Sequence, residues 1–490
     1  MSIYESKTTS WEIIYNSFDG IERRCVELIN REAGERLVRE PEIYKLNVLP
    51  CIKENENTKI LKNGIVIGTF DESIIARKFI SDAELPKNSY AVKVVRNPDC
   101  EDGSIVIITA RNKKHLYLAT AMFIDDYSML HSPQSGSLIL KHELYSKPLE
   151  EAFMVRIPKV ETRSIFAWGH PINDYREFIS DSARVGINQI ILWNDYAPLN
   201  AREIVEYAHS FEIEVLWGFS WGWSEGSCAN IKDLEESTLN ELKETIIEQY
   251  ESTWRGLGDG IYFQSFTEKK VDNIGNKSIA KAVVSLVNSV ADELYRRDPE
   301  LHIQFGLHAT SVKDELDKIA KVDKRIEIVW EDCGAFPYAY MAEAVSEEDL
   351  RATMDFTEKI IKLRGEDDRV GLVFKGFAIL DWREDRFVHQ RGPFILGEGS
   401  PKLLSHDRNL RSDSWRRYTA AWLRYGDTAR RLAEHASRLK GGKLNLCMAG
   451  LFDGGLWAPF AICSSIFEDP TEPFADITER VMKRKKARID

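Results

Sequence analysis

Eight short apolar runs, each followed by a helix-like stretch, recur between residues 164 and 455, and this alternation constrains the fold more than any other feature. The runs are SIFAWGH, INQIILWND, IEVLWGFSWGW, GIYFQSFTE, HIQFGLHA, RIEIVWEDCG, VGLVFKGFAILDW and LNLCMAGLFDGG. Between them, stretches such as NDYREFISDSARVG and LNAREIVEYAHSFE carry the apolar spacing of amphipathic helices. Strand and helix in alternation build a parallel sheet with helices outside it. Eight such units predict a (β/α)8 TIM barrel rather than an open doubly wound sheet. No Gly-rich phosphate fingerprint follows the first run, which argues against a dinucleotide fold.

Ahead of the barrel, helical patterns at FDGIERRCVELINREAGERLV and NKKHLYLATAMFIDDYSML flank β-rich runs at KLNVLPCI, NGIVIGTF, SYAVKVVR and GSIVIITA. This pattern predicts a small α+β domain with its strands in one sheet and its helices on one side. The turn-rich HSPQSGS marks the way out of it. The expected division is residues 1–154 for the α+β domain and 155–490 for an α/β barrel, and a chain of 490 residues suits two domains.

Composition narrows the function. Lys and Arg total 66 against 78 Asp and Glu, a net charge of −12, which disfavours attraction to nucleic acid or to anionic membranes. No apolar stretch has the length of a membrane span, and the start MSIYESKTTSWEIIYNSFDG lacks the basic and apolar regions of a secretory signal, so a cytoplasmic location is expected. The seven cysteines are scattered and show no CxxC spacing, which suits reduced thiols.

The chemistry gathers at the strand ends. In GDGIYFQSFTE a strand too apolar for a surface position ends at a single carboxylate, Glu268. In parallel barrels the loops after the strands build the active site, so Glu268 is the candidate acid. Other strand ends bring Trp168 and His170, Trp193 and Asn194, Trp217 and Trp221, His308, Trp330 with Glu331 and Asp332, and Asp381 with Trp382. Aromatic platforms edged by polar groups suit sugar rings, with their apolar C–H faces and hydroxyl rims, although a Trp in a barrel strand is more often core. Glycoside hydrolysis needs an acid and a second carboxylate, for which Glu331, Asp332, Asp381 and Glu384 are the candidates. Adjacent carboxylates in an extended strand face opposite ways, so Glu331 and Asp332 are not expected to share one role. Either could instead pair with an arginine such as Arg325 or Arg383.

The runs ARVGINQIILWND, EIEVLWGFS, DGIYFQSFTE and VFKGFAILDWRED resemble the barrel of glycoside hydrolase family 67, the α-glucuronidases. More distantly the chain resembles the hexosaminidases of families 20 and 84, which carry a similar small α+β domain in front. The resemblance implies that Glu268, preceded by Thr267, is the general acid of an inverting enzyme whose base is Asp381 or Glu384. Family 20 and 84 enzymes place two adjacent acids here, one of them orienting the substrate's acetamido group. Thr267 in that place argues against substrate-assisted cleavage. Lys375, Arg383 and Arg391 are candidates to hold a substrate carboxylate.

The expectation is therefore a glycosidase removing a terminal sugar from small oligosaccharides, with a carbohydrate substrate, no cofactor and no metal, either alone or as a homo-oligomer. Three alternatives stand beside it: a β-N-acetylhexosaminidase-like enzyme, a non-catalytic carbohydrate-binding barrel, and a metal-dependent hydrolase using His170, His308, Glu331 and Asp332.

Overall fold

All eight runs are parallel strands, and they close on themselves. The computed structural model describes residues 11–18, 20–32, 49–128, 148–168, 172–193, 196–222, 231–333, 345–374, 393–449 and 457–489, with backbone alone for Trp168, for several residues of 401–418 and for 485–489. The barrel strands are Thr162–Trp168, Gln189–Trp193, Glu214–Ser220, Gly260–Gln264, His302–Leu307, Glu327–Cys333, Val370–Phe374 and Leu444–Ala449. Each pairs with its sequence neighbours, and the last pairs with the first. Helices follow them in turn, from Tyr175–Val185 after the first strand to Trp457–Glu468 after the eighth. The fifth strand is followed only by the single turn Leu316–Ile319.

The helices start where their capping residues say they should. Asp174 accepts from the backbone N–H groups of Arg176 and Glu177 at 2.8 and 3.0 Å, and Ser346 with Asp349 forms a reciprocal capping box.

Inside the barrel, alternate residues of each strand form layers. Ser164, Gln189, Gln304, Glu327 and Asn445 lie near the strand beginnings and are joined by hydrogen bonds. An apolar layer above them includes Phe166, Ile191, Leu216, Tyr262, Val329, Val373 and Cys447. The opposite face of each strand packs into the surrounding helices, so both faces are buried and the runs read as nearly continuous apolar sequence.

The N-terminal domain is a six-stranded mixed sheet in the order Cys51–Lys53, Trp11–Tyr15, Asn63–Thr69, Ser104–Ala110, Tyr90–Arg96, Ala152–Arg156. Helices Ile21–Glu32 and Leu116–Met122 cover the face that packs toward the barrel. The other face is not bare as expected: helix Ile74–Phe79 closes a second core around Ile14, Val66, Ile105 and Ile107. The sheet ends at Arg156 and the barrel begins at Thr162, a few residues after the expected division.

Charged pairs join the two parts. Arg184, on the first barrel helix, donates to both carboxylate oxygens of Asp125 at 2.9 and 2.5 Å, and Arg484, on the last helix, donates to Asp126 at 2.6 and 2.5 Å. Asp125 and Asp126 are buried on one π-helical turn, Phe123–Ser128, and Asp126 also meets Arg156 at 3.5 Å, so loss of Arg184 or Arg484 would leave a buried carboxylate with less compensating charge. No described helix is long and apolar enough to cross a membrane.

Candidate active site

The fourth strand stops at Gln264, and the chain then makes one tight turn, Phe266–Glu268. Neighbouring loops hold that turn in place. Trp221 N–H donates to the Gln264 carbonyl at 2.9 Å, and the Ser265 hydroxyl donates to the Trp221 carbonyl at 3.0 Å. On the other side, the Ser311 N–H and hydroxyl both donate to the Thr267 carbonyl, at 3.1 and 2.5 Å. Phe266 and Thr267 are fully buried, whereas the Glu268 side chain is 36% exposed. The turn, braced this way, places the Glu268 carboxylate at the C-terminal rim.

Behind Glu268 lies His308, just past the end of the fifth strand and 4% exposed. Its Nε2 is 3.9 Å from Glu268 Oε2 and 3.1 Å from Glu331 Oε2, and its Nδ1 is 3.1 Å from Asp332 Oδ1. One imidazole thus touches three carboxylates. Each ring nitrogen faces a carboxylate, and a ring donating to both would carry its second proton. Asp332 is fixed further by the Ala309 N–H at 2.8 Å.

Glu331 points into the barrel and is fully buried. Its Oε1 accepts from the Tyr262 hydroxyl at 2.6 Å and also from Gln264 Nε2. Burial, and then the neighbouring Glu331 charge, push the Tyr262 hydroxyl well above its ordinary range, so it stays a donor. The fifth strand makes room with Gly306, where a Cβ would fall 2.3 Å from Glu331 Oε1 and 2.4 Å from the Tyr262 oxygen. No side chain fits there with Glu331 in this position.

Glu331 and Asp332, not expected to share one role, both face the His308 ring, each toward a different nitrogen. The pairing of the sixth strand with the seventh shifts register between Trp330 and Cys333, and this irregularity brings both carboxylates to the same ring. Arg325, one candidate ion partner for them, pairs instead with Asp323 and Asp292.

The tryptophans divide. Trp193 lies inside the barrel, edge-on to Phe166 and Tyr262. Trp217 and Trp221 are not at the site as expected. Trp217 points outward, stacks on Trp254 and donates from Nε1 to the Leu257 carbonyl at 3.1 Å. Trp221 is fully buried and stacked on Phe263 with ring centroids 3.7 Å apart. Trp330 likewise packs on Phe356, outside the barrel.

Trp168 pairs through its backbone with Trp193 at the rim. His170, Asn194, Lys375, Asp381, Trp382, Arg383, Glu384 and Arg391 lie outside the described residues. Among the described residues no group of three or more His, Cys, Asp or Glu side chains could hold a metal ion. The sequence reading did not single out Tyr262, Gln264 or Gly306. A polar Tyr and Gln two residues apart in an otherwise apolar barrel strand are the available signal, since both must face the same way.

No protein-family model matches the chain, and no curated protein matches it by sequence. Solved structures do match in fold. A family 20 exo-β-N-acetylglucosaminidase from Vibrio harveyi is similar at a TM-score of 0.53 and 9% identity, over 99% of this chain and 74% of that one. A family 20 β-N-acetylhexosaminidase from Streptomyces coelicolor A3(2) is similar at 0.51 and 10% identity, over 98% of this chain and 92% of the other. The family 84 structure CpGH84D aligns at 0.44 and 12% identity, over 99% of this chain and 90% of its own. At these identities the likeness to the two family 20 enzymes establishes the fold, a TIM barrel behind an N-terminal domain. The resemblance to family 67 α-glucuronidases is not carried by these structures.

Proposed function

We propose that the chain is a glycoside hydrolase that removes a terminal sugar from a small oligosaccharide, with Glu268 as its general acid and hexosaminides ahead of glucuronides as its substrate class. The observation that carries this reading is Glu268 itself: a partly exposed carboxylate on the C-terminal rim, braced on both sides and backed by His308. When the acid gives up its proton to the leaving oxygen, the histidine faces the carboxylate that forms. The fold shared with two hexosaminidases supports the choice of substrate class.

Glu331 and Asp332 serve as positioning groups. Both meet donors from His308 and from further polar groups, which suits holding the ring better than attacking a sugar or activating water. The base or nucleophile falls to Asp381 or Glu384 of the seventh strand's loop, or to the acetamido group of the substrate. Thr267 occupies the place where an acetamido-orienting acid would stand, so an assisted route needs that group from another loop.

The test is a screen of aryl β-N-acetylhexosaminides, aryl α- and β-glycosides and glucuronides, with natural oligosaccharides alongside. Turnover of a hexosaminide that is lost in Glu268→Gln supports the proposal. Turnover of glucuronides alone would return the substrate class to the α-glucuronidases. A non-catalytic carbohydrate-binding barrel is the second reading, favoured by the engagement of Glu331 and Asp332. Saturable sugar binding without turnover of any substrate would select it.

A further inference from the structure

Opposite Glu268, where the barrel strands begin and the N-terminal domain packs beneath them, lies a cavity of about 240 Å³. Its lining is polar and comes from both parts of the chain, with Lys114 and His115 from the N-terminal domain and Arg163, Glu214 and Arg369 from the barrel. One lining residue is unusual. Arg163 is 1% exposed, yet among the described residues no carboxylate pairs with it. Its Nε donates to the Gly186 carbonyl at 2.6 Å and its Nη1 to the Val160 carbonyl at 2.7 Å, and among the described residues no hydrogen bond is made by Nη2.

A buried guanidinium cannot shed its proton, and a buried charge without a counter-ion is costly. One further observation points the same way. Arg369, exposed at the mouth, makes no ion pair with any described residue. Glu468 acts on Arg163 only at longer range and is engaged by Tyr90 and Arg156. Glu214 accepts from Gln189 Nε2 at 3.1 Å and lies 3.7 Å from Lys114 Nζ, while Glu161 is exposed at the edge. Burial, with the charges of Arg163 and Lys114, pushes the His115 ring down to about 3, as expected for a neutral imidazole in a positive field.

We propose that this cavity binds an oxyanion, the phosphate or carboxylate of a small molecule, as a close counter-ion of Arg163, with Arg369 and Lys114 closing on it from the mouth. The volume leaves room for a small organic group attached to the anion. Because the lining comes from both domains, the bound anion ties the N-terminal domain to the base of the barrel and raises the stability of the whole chain. The site stands independently of the chemistry assigned to Glu268.

The test uses the full chain and isothermal titration with inorganic phosphate, with sodium acetate in a second arm and sodium chloride at equal ionic strength as the control. Expected are saturable binding of phosphate or acetate but not chloride, and a rise in thermal midpoint with the anion that binds. The tighter of the two names the ligand as a phosphate or a carboxylate compound. Arg163→Ala risks the fold, so the location is tested with the accessible pair Lys114→Ala and Arg369→Ala, which together should weaken binding about tenfold or more. No saturable binding of either anion, or binding undiminished in the double variant, overturns the proposal.

Discussion

The two ends of the barrel contain nearly the same polar ensemble put to different use. At the lower end Glu327 accepts from Asn445 and Gln304 at 3.0 and 3.1 Å and faces His302 Nε2 at 3.0 Å. At the upper end Glu331, four residues farther along the same strand, accepts from Tyr262 and Gln264 and faces His308 Nε2 at 3.1 Å. Each ensemble has a buried glutamate of the sixth strand, an amide from another barrel strand and a histidine of the fifth-strand segment. The lower set runs through Ser164 and Gln189 and leads on to Glu214 at the strand beginnings. The upper set goes on through His308 to Asp332 and to the accessible Glu268. What separates a structural polar layer from a candidate site is the end at which each set reaches the surface, the upper one at the rim built by the loops after the strands.

That contrast can be broken most severely at His308. His308→Ala leaves Glu331 buried beside a void, and a loss of about 3–5 kcal/mol is expected in urea unfolding. Turnover should fall roughly 100-fold or more as Glu268 loses its backing, and the pH profile of kcat/KM should change shape. An unaltered profile would reduce His308 to a packing residue. Gly306→Ala comes next. Its Cβ would collide with Glu331 and Tyr262, and the expected cost is about 1–3 kcal/mol with lower turnover, because the displaced carboxylate takes His308 with it. Crystals of this variant with Glu331 unmoved would contradict the account of the upper set.

Glu327→Gln probes the lower set, where the expected effect is on stability alone. Burial works to raise the Glu327 carboxyl, but its hydrogen bonds to His302, Asn445 and Gln304 prevail and hold it below the ordinary 4.5. A depressed carboxyl stabilises the fold above about pH 4.5, and that contribution is lost as pH falls through its native value. The variant should therefore be less stable at pH 7 by about 1–3 kcal/mol, show a shallower decline on acidification, and keep its turnover. A large fall in turnover would mean that the two ends are coupled. The smallest effect is expected at Trp217→Phe, with about 1 kcal/mol from the lost Leu257 hydrogen bond and unchanged sugar affinity. Weakened sugar binding would restore Trp217 to the site.

The barrel was legible because each strand is buried on both faces and so reads as an uninterrupted apolar run between helices. The same property hid which tryptophans face inward. Trp193 follows the inward Ile191 by two residues, whereas Trp217 follows the inward Leu216 by one, and a strand apolar on both sides does not declare its parity. Glu268 was legible as an isolated carboxylate at a strand end. Its company was only partly so. Glu331, Asp332 and His308 could be named as candidates, but their convergence on one ring depends on an irregularity in the sixth strand that no local residue pattern announces. Tyr262, Gln264 and Gly306 act across strands, through contacts that exist only once the barrel has closed.

The central claim is that Glu268 donates a proton to the departing sugar oxygen, and a leaving-group series on Glu268→Gln tests it most directly. With aryl glycosides of poor leaving groups, which need the proton, kcat/KM should fall roughly 100- to 10,000-fold. With highly activated leaving groups it should fall far less, and the folded state should be unchanged by circular dichroism. Equal losses across the series, or an unaltered rate with the poorest leaving group, would contradict the assignment of Glu268 as the acid.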